Sequence, residues 1–225
     1  MTRKWAIAVR CALWVALCLL LVTGCGGGQP SGSTPSGDVT SLLDAASADL
    51  DAQRYADAEA KLQQALDLDD RSVEAHYLLG NAYAKQERFS EAEAEFLRAL
   101  EFDPHHADAR SNLGVVLYSQ QRLDKAREAF EAVLAARPDD ADVHYNLGGV
   151  LAAQNRFDEA IDHFQQATVL DPELAEPYLG LGSVYQLQGK NEQAIAALRQ
   201  FLDRSDDAQW RKHAEDLIRQ MGGKP

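Results

Sequence analysis

The sequence predicts an all-α solenoid of five helical hairpins followed by a C-terminal capping helix, and three observations carry that prediction. Gly80, Gly114, Gly148 and Gly182 are each 34 residues apart, and Pro104, Pro138 and Pro172 repeat at the same step. Units cut at 39, 73, 107, 141 and 175 then align without insertion or deletion, with Ala58, Ala92, Ala126, Ala160 and Ala194 all at the twentieth position. Within a unit, residues such as His76, Leu79, Gly80 and Tyr83 follow an i, i+3, i+4, i+7 spacing that puts them on one helix face. A constant period of this length marks a repeat architecture in which stacked neighbours bury a continuous core.

Residues 1–24 read as an export leader. Arg3, Lys4 and Arg10 accompany an apolar run from Cys11 to Val22, 12 residues long, against the roughly 20 needed to span a bilayer. The run ends in Val22-Thr23-Gly24-Cys25, which resembles the lipobox of bacterial lipoproteins. That resemblance implies cleavage before Cys25, lipidation (palmitate among the acyl groups) of Cys25 and attachment to a membrane. Gly26 after the cysteine implies the outer membrane where a cell has two. Cys11 and Cys18 leave with the leader, so no intramolecular disulfide forms. Residues 25–38, rich in glycine, serine and proline, read as a flexible tether of about 20 Å reach.

The five units are 39–72, 73–106, 107–140, 141–174 and 175–208, each predicted as two helices. In the first helix, glycine sits where the partner helix crosses closest; its cost of about 1 kcal/mol relative to alanine is offset by the approach that it allows. The second helix supplies a small, large, small stripe, as in Ala92, Phe96 and Ala99, and ends at Asp103-Pro104 because proline lacks a donor and biases its predecessor away from helical angles. The first unit has Ala46 in place of glycine, and the outer two units have Asp70 and Asp206 in place of proline, as expected of terminal repeats. Residues 209–225 form the cap, with Trp210, Ala214, Leu217, Ile218 and Met221 on one face and Gly222-Gly223 as its stop.

The Leu-Gly pair, the tyrosine, the alanine, the aromatic and the proline at their fixed offsets resemble the tetratricopeptide repeat over residues 39–208. The fourth position departs from the family's tryptophan, being Leu42, His76, Arg110, His144 and Tyr178. The resemblance implies a right-handed superhelix whose first helices line a concave groove that binds a protein or peptide segment. It also implies a likeness to the tetratricopeptide lipoproteins that assist assembly of pili, secretins or cell-wall enzyme complexes.

Charge and motifs exclude other classes. The chain has 22 basic and 35 acidic residues; without the leader it keeps 19 bases and a net charge of −16, which excludes duplex nucleic acid as a partner. Runs such as Glu91, Glu93 and Glu95 read as solvated faces, with a basic partner as the sharper alternative. His76 and His144 read as packing residues. His105-His106 with Asp108 lacks a second ligand cluster, so no metal or other cofactor is expected. No phosphate loop, nucleophile elbow or His-Glu-x-x-His pattern occurs, so neither enzymatic turnover nor a small-molecule substrate is expected.

The positions opposite the packed face put Tyr77, Asn81, Lys85, Ser111, Asn112, Tyr118, Tyr145, Asn146, Ser183 and Gln186 toward the groove. Carboxamides carry a donor and an acceptor together and can pair with the main chain of an extended peptide; tyrosines add apolar area with a polar tip. Asn112 and Asn146, one repeat apart, are similar to an asparagine ladder. The expected function is a non-enzymatic scaffold or adaptor of the cell envelope, exported and lipid-anchored. A self-associating structural protein or assembly factor that works through a convex or edge surface is the alternative.

Overall fold

The computed structural model describes residues 38–224. The leader, Cys25 and nearly all of the tether lie outside that range. Among the described residues the chain forms eleven helices and no strand: α1 (Val39–Asp51), α2 (Tyr55–Leu68), α3 (Val73–Lys85), α4 (Phe89–Phe102), α5 (Ala107–Ser119), α6 (Leu123–Ala136), α7 (Ala141–Ala153), α8 (Phe157–Leu170), α9 (Glu176–Leu187), α10 (Asn191–Arg204) and α11 (Ala208–Gln220). Each helix packs on its neighbours in sequence. The odd-numbered helices from α1 to α9 also touch the next odd-numbered helix, and no even-numbered pair packs to the same extent. The even-numbered helices therefore splay outward and the odd-numbered ones line the inner wall of the solenoid.

Local chemistry sets the helix ends. Ser72, His106 and Asp140 cap α3, α5 and α7, each side chain accepting the backbone N–H three residues on, at 3.3, 3.1 and 3.1 Å. The turn inside every hairpin is a left-handed residue at the fifteenth position: Gln53, Glu87, Gln121, Asn155 and Gly189, with φ of 57°, 59°, 61°, 60° and 73°. Behind it, the Arg88 N–H reaches the Tyr83 carbonyl at 2.9 Å and the Glu87 N–H the Ala84 carbonyl at 3.0 Å, the paired bonds of a Schellman cap. Four of the five turns thus hold a side chain where glycine is the unstrained residue.

The core follows from the glycines. An ideal Cβ at Gly80, Gly114 or Gly148 would stand 2.6, 2.8 or 2.7 Å from the ring of Phe96, Phe130 or Phe164, all buried, and at Gly182 it would stand 2.6 Å from Leu198. The missing methyl is the space that the large residue of the second helix occupies. The first unit solves the same packing with Ala46 against the smaller Leu62, both fully buried. Phe164 is held on a second side as well, since a Cβ on Gly180 of the next unit would lie 2.7 Å from its Cζ.

The first unit also buries Asp49, at a position where the later units have Tyr83, Leu117, Leu151 and Tyr185. Arg54 bonds its Oδ1 and Lys61 its Oδ2, and these partners, Lys61 before Arg54, hold the carboxyl below its usual range. In α11, Ala214 and Ile218 are buried against α10 with Leu217 and Met221 partly covered. Trp210 departs from the expected capping face: it is half exposed, its ring edge-on to His213. Asp207 caps α11 through Trp210's own backbone N–H, which fixes that residue in the first turn.

Candidate functional site

The inner wall carries three adjoining cavities that share Val115. The first, about 100 Å³, lies between Val115 and Tyr118 of α5 and Tyr145, Asn146 and Gly149 of α7, with Phe130 as its floor. The second, about 230 Å³, lies between Asn81 and Lys85 of α3 and Asn112 of α5, closed by Phe89. The third, about 290 Å³, runs past Tyr77, Ser111, Asn112 and Asn146 to Asp108, Arg137, Asp140 and Asp142. Val115 and Tyr118, about 40% exposed, are the apolar surface at the centre.

The structure thus brings together eight of the ten groove residues expected from the sequence. Asn112 donates its amide to the Asn81 oxygen at 2.7 Å, so the ladder is engaged inside the chain between α3 and α5, whereas Asn146 lies on the walls of two cavities. Tyr77 tilts against the His106 ring at 4.9 Å and Tyr145 against Phe164 at 6.0 Å, which fixes both rings from behind. Burial, then Glu176 and Tyr118, pushes the Tyr145 phenol up from its usual range. Ser183 and Gln186 line none of these three cavities; the Ser183 hydroxyl turns back to the Leu179 carbonyl at 2.9 Å, within its own helix.

Sequence reasoning passed over Val115, Gly149 and Arg137. The first two occupy the ninth position, where Asn81 and Ser183 drew attention to polar chemistry. Arg137 comes from the loop ahead of α7, off any helix face, and its guanidinium bonds Asp108 at 2.6 Å. Past that pair, Asp140, Asp142, Asp171 and Glu176 form an acidic rim. Burial first, and then Asp140, Asp171 and Glu176, raise the Asp142 carboxyl above its usual range.

Other expected features resolve differently. Glu91, Glu93 and Glu95 are not a free solvated face: Arg88 bonds Glu91, Arg122 bonds Glu93 at 2.5 Å, and the His76 Nδ1 lies 2.6 Å from Glu95. Arg88 and Arg122 staple repeats, reaching back to Glu59 and Glu93 of the preceding unit. Basic residues recur at this turn in all five units, as Arg54, Arg88, Arg122, Arg156 and Lys190, a signal present in the sequence and overlooked. His144 packs as expected and also bonds: its Nε2 meets the Pro138 carbonyl at 2.9 Å and its Nδ1 meets the Nδ1 of His163 at 2.9 Å. A carbonyl only accepts, so His144 donates through Nε2, and the neutral pair requires His163 to donate through Nδ1. His106 uses its Nδ1 as the α5 cap, and no cluster of three or more metal-ligating side chains occurs among the described residues.

Solved structures share this fold. YrrB, described as a TPR protein with an unusual peptide-binding site, superposes with a TM-score of 0.64 at 26% identity, over 80% of this chain and 92% of its own. MamA from Desulfovibrio magneticus RS-1 gives 0.69 at 26% identity, over 76% and 99%. PilF of Pseudomonas aeruginosa gives 0.72 at 19% identity, over 82% and 84%, a likeness of fold alone. No curated protein matches the sequence. The tetratricopeptide repeat profile matches residues 43–107, 83–141 and 112–175, and a second profile of the same description matches 151–214. With its 34-residue hairpins, glycine and phenylalanine interlock and helix-lined inner wall, the chain belongs to the tetratricopeptide repeat family.

Proposed function

We propose that this protein is an exported, lipid-anchored scaffold of the bacterial cell envelope that holds an extended segment of a partner protein in its concave groove, without turnover of its own. The observation that carries this reading is the run of three adjoining open cavities along α3, α5 and α7, with Val115 and Tyr118 exposed at its centre. Uncovered apolar surface rimmed by polar groups is the ordinary mark of an interaction site. The likeness to YrrB, described as a TPR protein with an unusual peptide-binding site, supports a peptide as the kind of ligand. Export and anchoring rest on the lipobox resemblance at Cys25, outside the described residues.

Two experiments test the two halves. Crosslinking from a photoreactive residue at position 118 should capture a partner that is not captured from Val169 on the outer surface; equal capture from both positions would refute groove binding. Changing Cys25 to serine should abolish labelling by a palmitate analogue and release the protein from membranes. Labelling that persists would refute the anchor.

A further inference from the structure

The proposed groove is chemically asymmetric. Its centre is an apolar slot of about 100 Å³ between Val115, Tyr118, Tyr145 and Gly149. A cavity of about 150 Å³ holds a benzene ring, so this one suits an aliphatic side chain. Gly149 has open space where a Cβ would stand, so the slot's width on the α7 side is set by a missing side chain. Immediately beside it, Asp140 and Asp142 line the adjoining cavity, and Glu176 lies close enough to act on both Asp142 and the Tyr145 phenol. Arg137 is committed to Asp108 at 2.6 Å, and Lys85 stands at the far cavity, beyond Asn81 and Asn112. Asp142 and Glu176 have no ion-pair partner among the described residues, in contrast to Glu91 and Glu93 on α4.

We infer that the groove at the α5–α7 junction selects a cationic extended segment of a partner protein, one that inserts an aliphatic side chain between Tyr118 and Tyr145 and sets a neighbouring lysine or arginine against Asp140, Asp142 and Glu176. The inference rests on the groove reading above and adds the chemistry of the occupant. Burial first, and then the neighbouring carboxylates, raise the cost of ionising Asp142, and a cation bound beside it relieves that cost. A segment bearing acidic residues meets the same wall at a penalty, so the rim discriminates as well as attracts. Steering by such a rim acts mainly on association rate and is screened by salt.

The test is selection of a phage-displayed library of random short peptides on the full chain in detergent micelles, followed by anisotropy titrations of the enriched peptides at low and high salt. Enriched sequences should pair Leu, Ile, Val or Met with Lys or Arg. The triple variant Asp140→Asn, Asp142→Asn, Glu176→Gln should weaken them about tenfold or more at low salt, a difference that shrinks at high salt. Asparagine still caps a helix, so α7 keeps its start. Val115→Gln should weaken them at both salt concentrations. Enrichment of neutral or acidic peptides, or binding that is lost in Val115→Gln but unchanged in the triple variant, overturns the inference while the groove reading stands. Peptides insensitive to both variants, or no enrichment at all, overturn the groove reading itself. Self-association that excludes every peptide and is broken by Val115→Gln would assign the groove to a second copy and overturn the inference.

Discussion

Replacing Gly148 with alanine tests the physical basis of the repeat. A Cβ there would stand 2.7 Å from both Cδ1 and Cε1 of Phe164, inside any real contact distance, so the ring must move. It has little room to do so, because Gly180 already meets the far end of the ring at 2.7 Å from its own ideal Cβ, and Phe164 is buried. Overpacking of this kind costs about 1–3 kcal/mol, and replacing a helical glycine with alanine returns about 1 kcal/mol. At Gly148 the clamped ring puts the packing cost at the upper end, for a net loss of about 2 kcal/mol. At Gly114, whose Phe130 has no second glycine against it, the net loss should be smaller, about 0–1 kcal/mol. The pair Gly148→Ala with Phe164→Leu recreates the Ala46 and Leu62 arrangement of the first unit, and should show a favourable coupling of about 1 kcal/mol or more against the two single changes. Urea unfolding followed by circular dichroism measures the parent and the four variants. A Gly148→Ala protein as stable as the parent, or a double mutant whose loss is the plain sum, would refute the steric origin of the glycine period.

Three further outcomes follow from the same geometry. Glu87→Gly and Gln121→Gly each relieve a left-handed side chain and should each stabilise by about 0.5–1 kcal/mol in thermal melts, whereas glycine inside α5 at Ser111 should destabilise by a similar amount. Arg127 stands where the preceding units have Glu59 and Glu93 and pairs instead with Glu131 at 2.7 Å, so Arg156 turns to Glu159 of its own helix and units three and four lack the staple; because Arg127→Glu gives up the Glu131 pair, the staple should show as a coupling of about 0.5 kcal/mol in a double-mutant cycle with Arg156→Ala, lost in high salt. Burial first, then His144, holds the His163 imidazole below its usual 6.5. Because the unfolded chain then binds the proton more readily, stability should be complete above about pH 6.5 and fall as the pH drops below it; Asp162, Glu159 and Glu131 oppose the effect, and His163→Gln should flatten the profile.

The architecture was legible because packing imposes a period. A phenylalanine that fills a glycine's place leaves both residues in the sequence at fixed offsets, and stacking repeats the offsets. The same logic exposed the inner wall, since the face opposite a packed stripe must point outward. Three things were harder to read. The hairpin turn needs a left-handed residue, yet Gln53, Glu87 and Gln121 carry no preference for it, so the backbone conformation is imposed by the Schellman bonds rather than advertised by the side chain. Trp210 looked like a core residue because large apolar side chains usually are, but in the first turn of α11 it packs edge-on to His213 of its own helix and stays half exposed. Within the groove, polar residue types drew notice while Val115, whose exposure is the informative fact, looked like any core valine. Nor could the period show that Asn112 would be bonded to Asn81, since that contact joins the sixth position of one unit to the ninth of the unit before.

The central claim, that the odd-numbered helices form a wall open to another chain, is tested most directly by hydrogen exchange of the full chain with and without an enriched peptide. Binding should slow exchange in α5 and α7, with weaker protection in α3 and α9, and leave α4, α6, α8 and α10 unchanged. Protection confined to those outer helices would rule out binding along the inner wall.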